Sequence, residues 1–326
     1  MMNKNFVDFM NKYRDAKMAV GVSGGIDSMC LLYWLHEMGL NITCLHVNHK
    51  LRDVADIETE YVADVCNQLN IPCKIFYWED EKPKTGLEAA ARETRYKMMT
   101  DFCHENNIEY LLTAHQSDDQ IETFLMNLSR GSGLYGLSAM LPKSMRDGIT
   151  ILRPLLNVPR HELKQYCDDN NIKYFVDSMN SDEHYTRVKI RQNRHLLNDK
   201  LGISDARILL AIQNLGRTRE WMDKYVENRI EMVIRSWGAM FMSSFLFDEE
   251  EEFRLKFLGL LIQKIGGDDY PVRLNSLQNA LFNLQHDCKF TLGHCTIRRL
   301  NDRILIVPEG KRTSFRKRHE KRKKCI

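Results

Sequence analysis

The chain predicts an α/β fold: a doubly wound, mostly parallel sheet, then a smaller helical domain ending in a β-hairpin. Three observations predict it. Short apolar runs alternate with segments of helical length over the first 170 residues, the pattern of a parallel sheet with helices on both faces. A Gly-rich turn joins the first strand to the first long helix. Near residue 203 the pattern changes to long helical stretches and then to alternation around an Asn-Asp turn.

Residues 17–22 (KMAVGV) read as a short buried strand, followed by SGGIDS and by MCLLYWLHEMGL, a helix that stops at Gly39. A strand follows at 42–47, a helix at 57–69, a strand at 74–77, an Ala-rich helix at 87–106, a strand at 110–113 and a helix at 118–128. Residues 131–140 (GSGLYGLSAM) read as a Gly-rich loop, ILRPLL and RHELKQYCDDN as one more strand and helix, and IKYFVD as a further short strand. From about 203 the stretch from ARILLAIQNLG to VIRSW is helical, and KFTLGHCTIRRLNDRILIV is a hairpin turning at Asn301-Asp302. This gives a catalytic domain at 1–203, a helical substrate domain at 204–310 and a basic tail at 311–326.

Nothing in the first twenty residues resembles a secretory leader, and no uncharged apolar run approaches the ~20 residues of a membrane span. A cytoplasmic enzyme that does not enter a membrane is the expectation. The nine cysteines (30, 44, 66, 73, 103, 167, 288, 295 and 325) are scattered without a C-x-x-C pair, so they read as small buried hydrophobes. The net charge of +3 hides an asymmetry: residues 311–326 hold nine Lys or Arg and one acid, a net of +8, which leaves −5 on the other 310 residues. A basic tail on an acidic globule suits a polyanion, nucleic acid first, with a solvated tail as the alternative. The acids at 248–252 read as a solvated helix end or loop.

Ser23-Gly24-Gly25-Ile26-Asp27-Ser28 lies where strand turns into helix. Its glycines allow a tight turn, and exposed N–H groups with the helix dipole favour an anion. Without a Walker Lys, the loop suits the pyrophosphate end of ATP. Ligands in such sheets bind beyond the carboxyl ends of the strands, which draws in His46 to Arg52 and Thr113 to Thr123. Asp118, Asp119 and Glu122 concentrate charge suited to Mg²⁺ or a substrate ammonium, or else act as dipole-stabilised helix acids. His115, at a strand end, suits an acid, a base or a phosphate ligand. The G-x-G-x-x-G at residues 131–136 follows a helix, so the dinucleotide reading fails.

These segments resemble the PP-loop ATP pyrophosphatase superfamily, marked by SGGxDS, with its adenine nucleotide α-hydrolase-like fold. Within it the chain is similar to the tRNA(Ile)-lysidine synthetase family, through SGGIDS, HVNHKLR, GLEAAARETRY, TAHQSDDQIETFLMNLSRGSGLYGLSAM, RPLL and DSMNSDEHYTR in order. Some members carry a further C-terminal domain, for which this chain has no room. The resemblance implies a ligase that adenylates the C2 oxygen of the wobble cytidine in a CAU anticodon of tRNA(Ile), then lets the side-chain amine of free L-lysine displace AMP. It implies ATP and Mg²⁺, with Ser23, Gly24, Gly25, Ile26, Asp27 and Ser28 on ATP and Asp27 at the metal. It also implies Asp27, Arg92 and His115 in catalysis, Asp119 and Glu122 on lysine, and Arg130 and Arg187 on tRNA or phosphate. Oligomeric state, a homodimer included, is left open.

Two departures concern one loop: Met179 interrupts the family's D-x-S-N, and Val188 replaces the Asn after Arg187. Rival readings are a tRNA thiolase, which would want paired cysteines, a small-molecule PP-loop ligase such as a GMP or NAD synthetase, and a noncatalytic RNA-binding protein. The last is opposed by the retention of Ser23, Asp27, Arg92, His115 and Asp119 together.

Overall fold

The computed structural model describes residues 2–51, 54–83, 85–175, 186–267, 272–286 and 288–310. The basic tail and the Asp177–Asn180 motif lie outside the described residues. The chain divides into two compact units, Met1–Arg219 and Glu220–Ile326. The division falls inside one helix, whose start lies just beyond the boundary expected near 203.

The first unit carries a six-stranded sheet: β1 (Met18–Gly21), β2 (Ile42–Asn48), β3 (Cys73–Tyr77), β4 (Tyr110–Leu112), β5 (Lys143–Arg146) and β6 (Ile149–Leu152), in the order β3-β2-β1-β4-β6-β5. All pairings are parallel except β5–β6. The antiparallel β5 escapes a sequence reading because KSMR has no apolar periodicity. It alternates exposed and half-buried residues, as suits an edge strand. The helices of this unit are α1 (Lys4–Met10), α2 (Ile26–Glu37), α3 (Ala55–Gln68), α4 (Leu87–Glu105), α5 (Ser117–Ser129), α6 (Leu134–Leu137), α7 (Arg160–Asp169), α8 (Thr186–Asn193), α9 (His195–Leu201) and the first part of α10 (Asp205–Val233).

Period-two alternation sorts the strands' side chains between two cores. Met18, Val20, Ile42 and Cys44 join Trp34 and Leu35 of α2, Val62 and Cys66 of α3, and Leu163 and Tyr166 of α7. Ala19, Leu45, Leu111 and Ile151 face the other way, onto Tyr96, Met99 and Cys103 of α4. Helices therefore cover both faces, as expected. Ile121 of α5 packs with Ile208 and Ile212, so the start of α10 belongs to this unit. The Gly-rich loop at 131–140 is tighter than expected, because it folds the single turn α6. Of IKYFVD, Phe175 makes only an isolated bridge to Gly25, and Val176 and Asp177 lie outside the described residues.

The second unit follows α10 with β7 (Ile234–Arg235), β8 (Gly238–Met242), α11 (Ser244–Phe247), α12 (Glu251–Gly266), α13 (Leu274–Gln285), β9 (Phe290–Leu292), β10 (Cys295–Leu300) and β11 (Arg303–Pro308). The expected hairpin is β10–β11, turning at Asn301-Asp302 with Asn301 at φ 55°. It is part of a larger antiparallel sheet, β7-β8-β11-β10-β9. The helix expected to reach Trp237 stops at Val233, and the next residues enter that sheet. Gly238 permits it: a Cβ there would lie 2.3 Å from the Ile306 carbonyl oxygen. Val226, Phe241, Phe253, Phe257, Leu261, Ile297 and Ile304 fill this unit's core. The acidic run resolves into helix ends: Asp248 caps α11, Glu250 caps α12 and Glu251 and Glu252 occupy its first turn, where the dipole favours anions.

Candidate active site

The strand order reverses direction between β1 and β4, so the loops leaving their carboxyl ends border one crevice. The first is residues 23–28. Gly24 sits at φ +83°, with the nearest atoms to an added Cβ at 3.6 Å. Backbone conformation, not crowding, therefore demands glycine there. The Gly24 carbonyl accepts from the Phe175 N–H at 3.0 Å, which fixes the outer side of the turn. Ser28 donates to the Gly25 carbonyl (2.9 Å) and accepts from the Ser23 N–H (3.1 Å), with the Ser23 hydroxyl 3.2 Å away. These bonds hold the loop in shape. Gly25 caps α2 without a side-chain bond, so the first N–H groups of the helix face the crevice unclaimed.

Asp27, in the first turn of α2, has 26% of its side chain exposed and lies 3.7 Å from the Arg160 guanidinium. Its Oδ1 is buried and has no hydrogen-bond partner. Burial pushes its pKa up to about 6; Arg160 opposes the shift, and Asp119 and Asp118 add to it. Oδ1 is the oxygen that faces Arg160 Nε, at ion-pair but not hydrogen-bond distance. A divalent cation there would displace the guanidinium, with the charges of Asp119 and Asp118 favouring it.

The second loop runs from β4 into α5. Gln116 caps the helix: its side chain accepts from the Asp118 N–H at 2.6 Å, and its own N–H donates to Asp119 Oδ2 at 3.0 Å. This reciprocal cap aims the acids of the first turn. The three acids are nevertheless held differently. Asp118 lies 3.2 Å from Arg194. Asp119 is engaged in the cap, and burial raises its pKa against the pull of the Gln116 N–H, Arg187 and Arg191. Glu122 is fully buried, accepts from Arg191 Nε at 2.8 Å, and leaves Oε2 without a partner. Burial raises the Glu122 pKa and Arg191 counters it.

His115 bonds Thr113 Oγ1 through Nδ1 at 2.9 Å. Burial first, then Arg92, Arg153, Arg95 and Arg187, drive its pKa down to about 3, so the imidazole is neutral at physiological pH. Arg92 is exposed on α4, 5.1 Å over the Tyr96 ring.

The structure thus brings Asp27, Asp119, Glu122, His115, Arg92 and Arg187 into one electrostatic neighbourhood. Arg130 stands apart, at the C-terminal end of α5, about 16 Å along the helix from Asp119. Of the segment from His46 to Arg52, Arg52 lies outside the described residues, and the strand end is largely self-occupied. His46 is bonded to the Val22 carbonyl and Thr59, and Asn48 to Asp56 and Thr59. Val188 is buried on α8. Arg191, the partner of Glu122, joins the candidate site, and the sequence did not single it out. The four-residue spacing of Arg187 and Arg191, which puts both on one helical face, was the signal available.

This is the phosphate-binding architecture of a PP-loop enzyme, and residues 1–198 match the PP-loop domain family. The chain is 35% identical over 309 residues to the tRNA(Ile)-lysidine synthase of Wolbachia pipientis wMel, across 91% of this chain and 71% of that protein. It is 32% identical over 311 residues to the tRNA(Ile)-lysidine synthase of Rickettsia bellii (strain OSU 85-389), across 90% and 70%. The chain belongs to the tRNA(Ile)-lysidine synthase family of ATP-dependent ligases. Among solved structures it is similar to the U34-tRNA thiolase NcsA from Methanococcus maripaludis with its 4Fe–4S cluster. That match has a TM-score of 0.53 and 19% identity over 65% of this chain and 79% of that one, a likeness of fold alone.

Proposed function

We propose that this chain modifies the wobble cytidine of a CAU-anticodon tRNA(Ile), joining lysine to C2 at the expense of ATP. In the first step the C2 oxygen attacks the α-phosphorus and pyrophosphate leaves. In the second the lysine side-chain amine attacks C2, AMP departs with the oxygen, and the amine gives up a proton. The observation that carries this reading is the meeting of two loops: β1 and β4 are parallel neighbours in the sheet, so the turn that bears Asp27 and the start of α5 that bears Asp118 and Asp119 leave the same edge side by side. An ATP α-phosphate and a cationic amine can therefore be served in one crevice.

The N–H groups at the start of α2, with Ser23 and Ser28, hold the departing pyrophosphate. Mg²⁺ bound at Asp27 would neutralise phosphate charge there. Arg92 orients the activated base. Asp119 and the unpartnered Oε2 of Glu122 attract the lysine ammonium, with Arg191 keeping Glu122 ionised. His115, held neutral by burial among Arg92, Arg153, Arg95 and Arg187, hydrogen-bonds phosphate as a neutral ligand, and the substrate phosphates take the proton that the amine must lose. Arg187 steadies phosphate from α8. Arg130, away from the crevice, serves tRNA backbone contact, as do the region 204–310 and the basic tail.

The test is incorporation of radiolabelled lysine into an unmodified tRNA(Ile) transcript, with and without ATP. ATP-dependent labelling that disappears when the wobble C is changed to U supports the reading. ATP cleavage to AMP without labelling transfers the chemistry to another nucleophile.

A further inference from the structure

The cysteines, scattered in sequence, are not scattered in space. Cys44 on β2 and Cys73 at the start of β3 are direct partners in the parallel register, so their side chains leave the same face of the sheet. Cys66, near the end of α3, comes down onto them from the covering helix. The three Sγ atoms all lie within 4.8 Å of one another, and among the described residues no other group of three His, Cys, Asp or Glu is so placed. Cys44 and Cys66 are buried and Cys73 is half-buried. None of them touches the chemistry proposed above.

We propose that Cys44, Cys66 and Cys73 form a three-thiolate site for one thiophilic d¹⁰ cation, Cu(I) or Zn(II). Three sulfurs set trigonally around an ion at about 2.3 Å stand about 4 Å apart, so the observed separation closes by side-chain rotation. That spacing is too tight for a four-iron cluster, whose ligand sulfurs stand well apart. Thiolates select soft ions over Mg²⁺ or Ca²⁺. The surroundings are apolar: Cys44 and Cys66 sit in the core with Val62 and Val65, and Cys73 packs against it. The half-exposed Cys73 supplies the entry path and, for Zn(II), the opening for a water as fourth ligand. His46, two residues along β2, is taken by the Val22 carbonyl and Thr59 and is not a ligand.

The site also has a structural purpose. β3 is an edge strand with no fully buried residue, so little apolar burial fixes it. An ion shared by β2, β3 and α3 ties that edge to the covering helix.

The full-length chain, reduced and desalted without oxygen, is titrated separately with Zn²⁺ and with Cu(I) supplied as its acetonitrile complex. Retained metal after a second desalting is then counted. The expected result is one ion per chain with a three-sulfur shell in X-ray absorption, plus one oxygen or nitrogen for Zn(II). Cys66→Ala and Cys73→Ser each weaken retention by more than the roughly 10–100-fold that even an outer-shell partner is worth. Cys30→Ala and Cys288→Ser keep it. Should the triad variants fold poorly, alkylation of the wild type decides: the ion must slow the reaction of half-buried Cys73 while exposed Cys288 still reacts. Unchanged retention in the triad variants, no retention in the wild type, no selective protection, or a disulfide in place of bound metal overturns the proposal.

Discussion

Replacing Arg191 by Met isolates a carboxylate that has no exposure to water. Glu122 is 0% exposed, and its one polar partner on the described chain is the Arg191 guanidinium at 2.8 Å, itself 33% exposed. Losing one member of a buried pair costs about 3–5 kcal/mol when the orphan stays charged. Glu122 has a second option, which is to bind a proton. At pH 7 that costs about 3.7 kcal/mol for a carboxyl of ordinary pKa near 4.3, at 1.36 kcal/mol per pH unit. The lesser of the two sets the ceiling, and water reaching the emptied Arg191 position lowers it, giving an expected loss of about 2–3 kcal/mol. In the variant the folded state holds a proton that the unfolded state releases. Its stability therefore falls as pH rises from the unfolded pKa towards the raised folded one, and the deficit against wild type is large at pH 7 and small near pH 4.5. Urea unfolding at both pH values, with hydrogen exchange on α5 as the local readout, measures this. A deficit under about 0.5 kcal/mol at pH 7, or one that widens on acidification, refutes the account. Adding Glu122→Gln to the variant is expected to restore most of the loss.

Asp27→Asn is expected to abolish pyrophosphate release while the fold is kept. Since burial raises the carboxyl pKa to about 6, the ionised side chain opposes folding above that pH, and the variant's melting temperature should not fall at pH 8; a marked drop refutes the assignment. Gly24→Ala meets no clash but strains a left-handed backbone, at about 1–2 kcal/mol by urea titration, with weakened ATP binding; a neutral result removes the conformational argument. His115, with its pKa near 3, should show constant imidazole chemical shifts by NMR from pH 8 down to about pH 5, and an inflection near 6.5 contradicts the burial account. Removing residues 311–326, which carry +8, should flatten the salt dependence of tRNA binding; an unchanged slope leaves the tail without a phosphate role.

What was legible in the sequence was what local rules govern. β1, β2, α2, α4 and α5 announced themselves through apolar runs of the right length and Gly stops, and the SGGIDS turn through its flanks. The edge strand β5 exposes Lys143 and Met145 and only half-buries Ser144 and Arg146, so it left no apolar pattern. β7 and β8 were hidden because Ile234–Met242 is apolar enough to prolong a helix, and only pairing with β11 makes it a strand. Asp27, His115 and Asp119 were readable because motif and strand end coincide there. Arg191 was not, since its importance comes from a contact with Glu122 sixty-nine residues away. The cysteines read as small buried hydrophobes, and six of the eight described ones are buried; that three of them meet was not legible, because the register of β2 against β3 brings Cys44 to Cys73 and no spacing along the chain records it.

The crevice between β1 and β4 divides the labour of the enzyme between two segments that are adjacent in space and about ninety residues apart in sequence. On the proposed reading, the glycine turn after β1 answers to the nucleotide, and the capped acids after β4 answer to the nucleophile that attacks the activated carbon. Because separate stretches of gene encode the two, change can accumulate in one while selection holds the other. A lineage that keeps the first loop and rewrites the second acquires a new acceptor without having to reinvent the way ATP is broken.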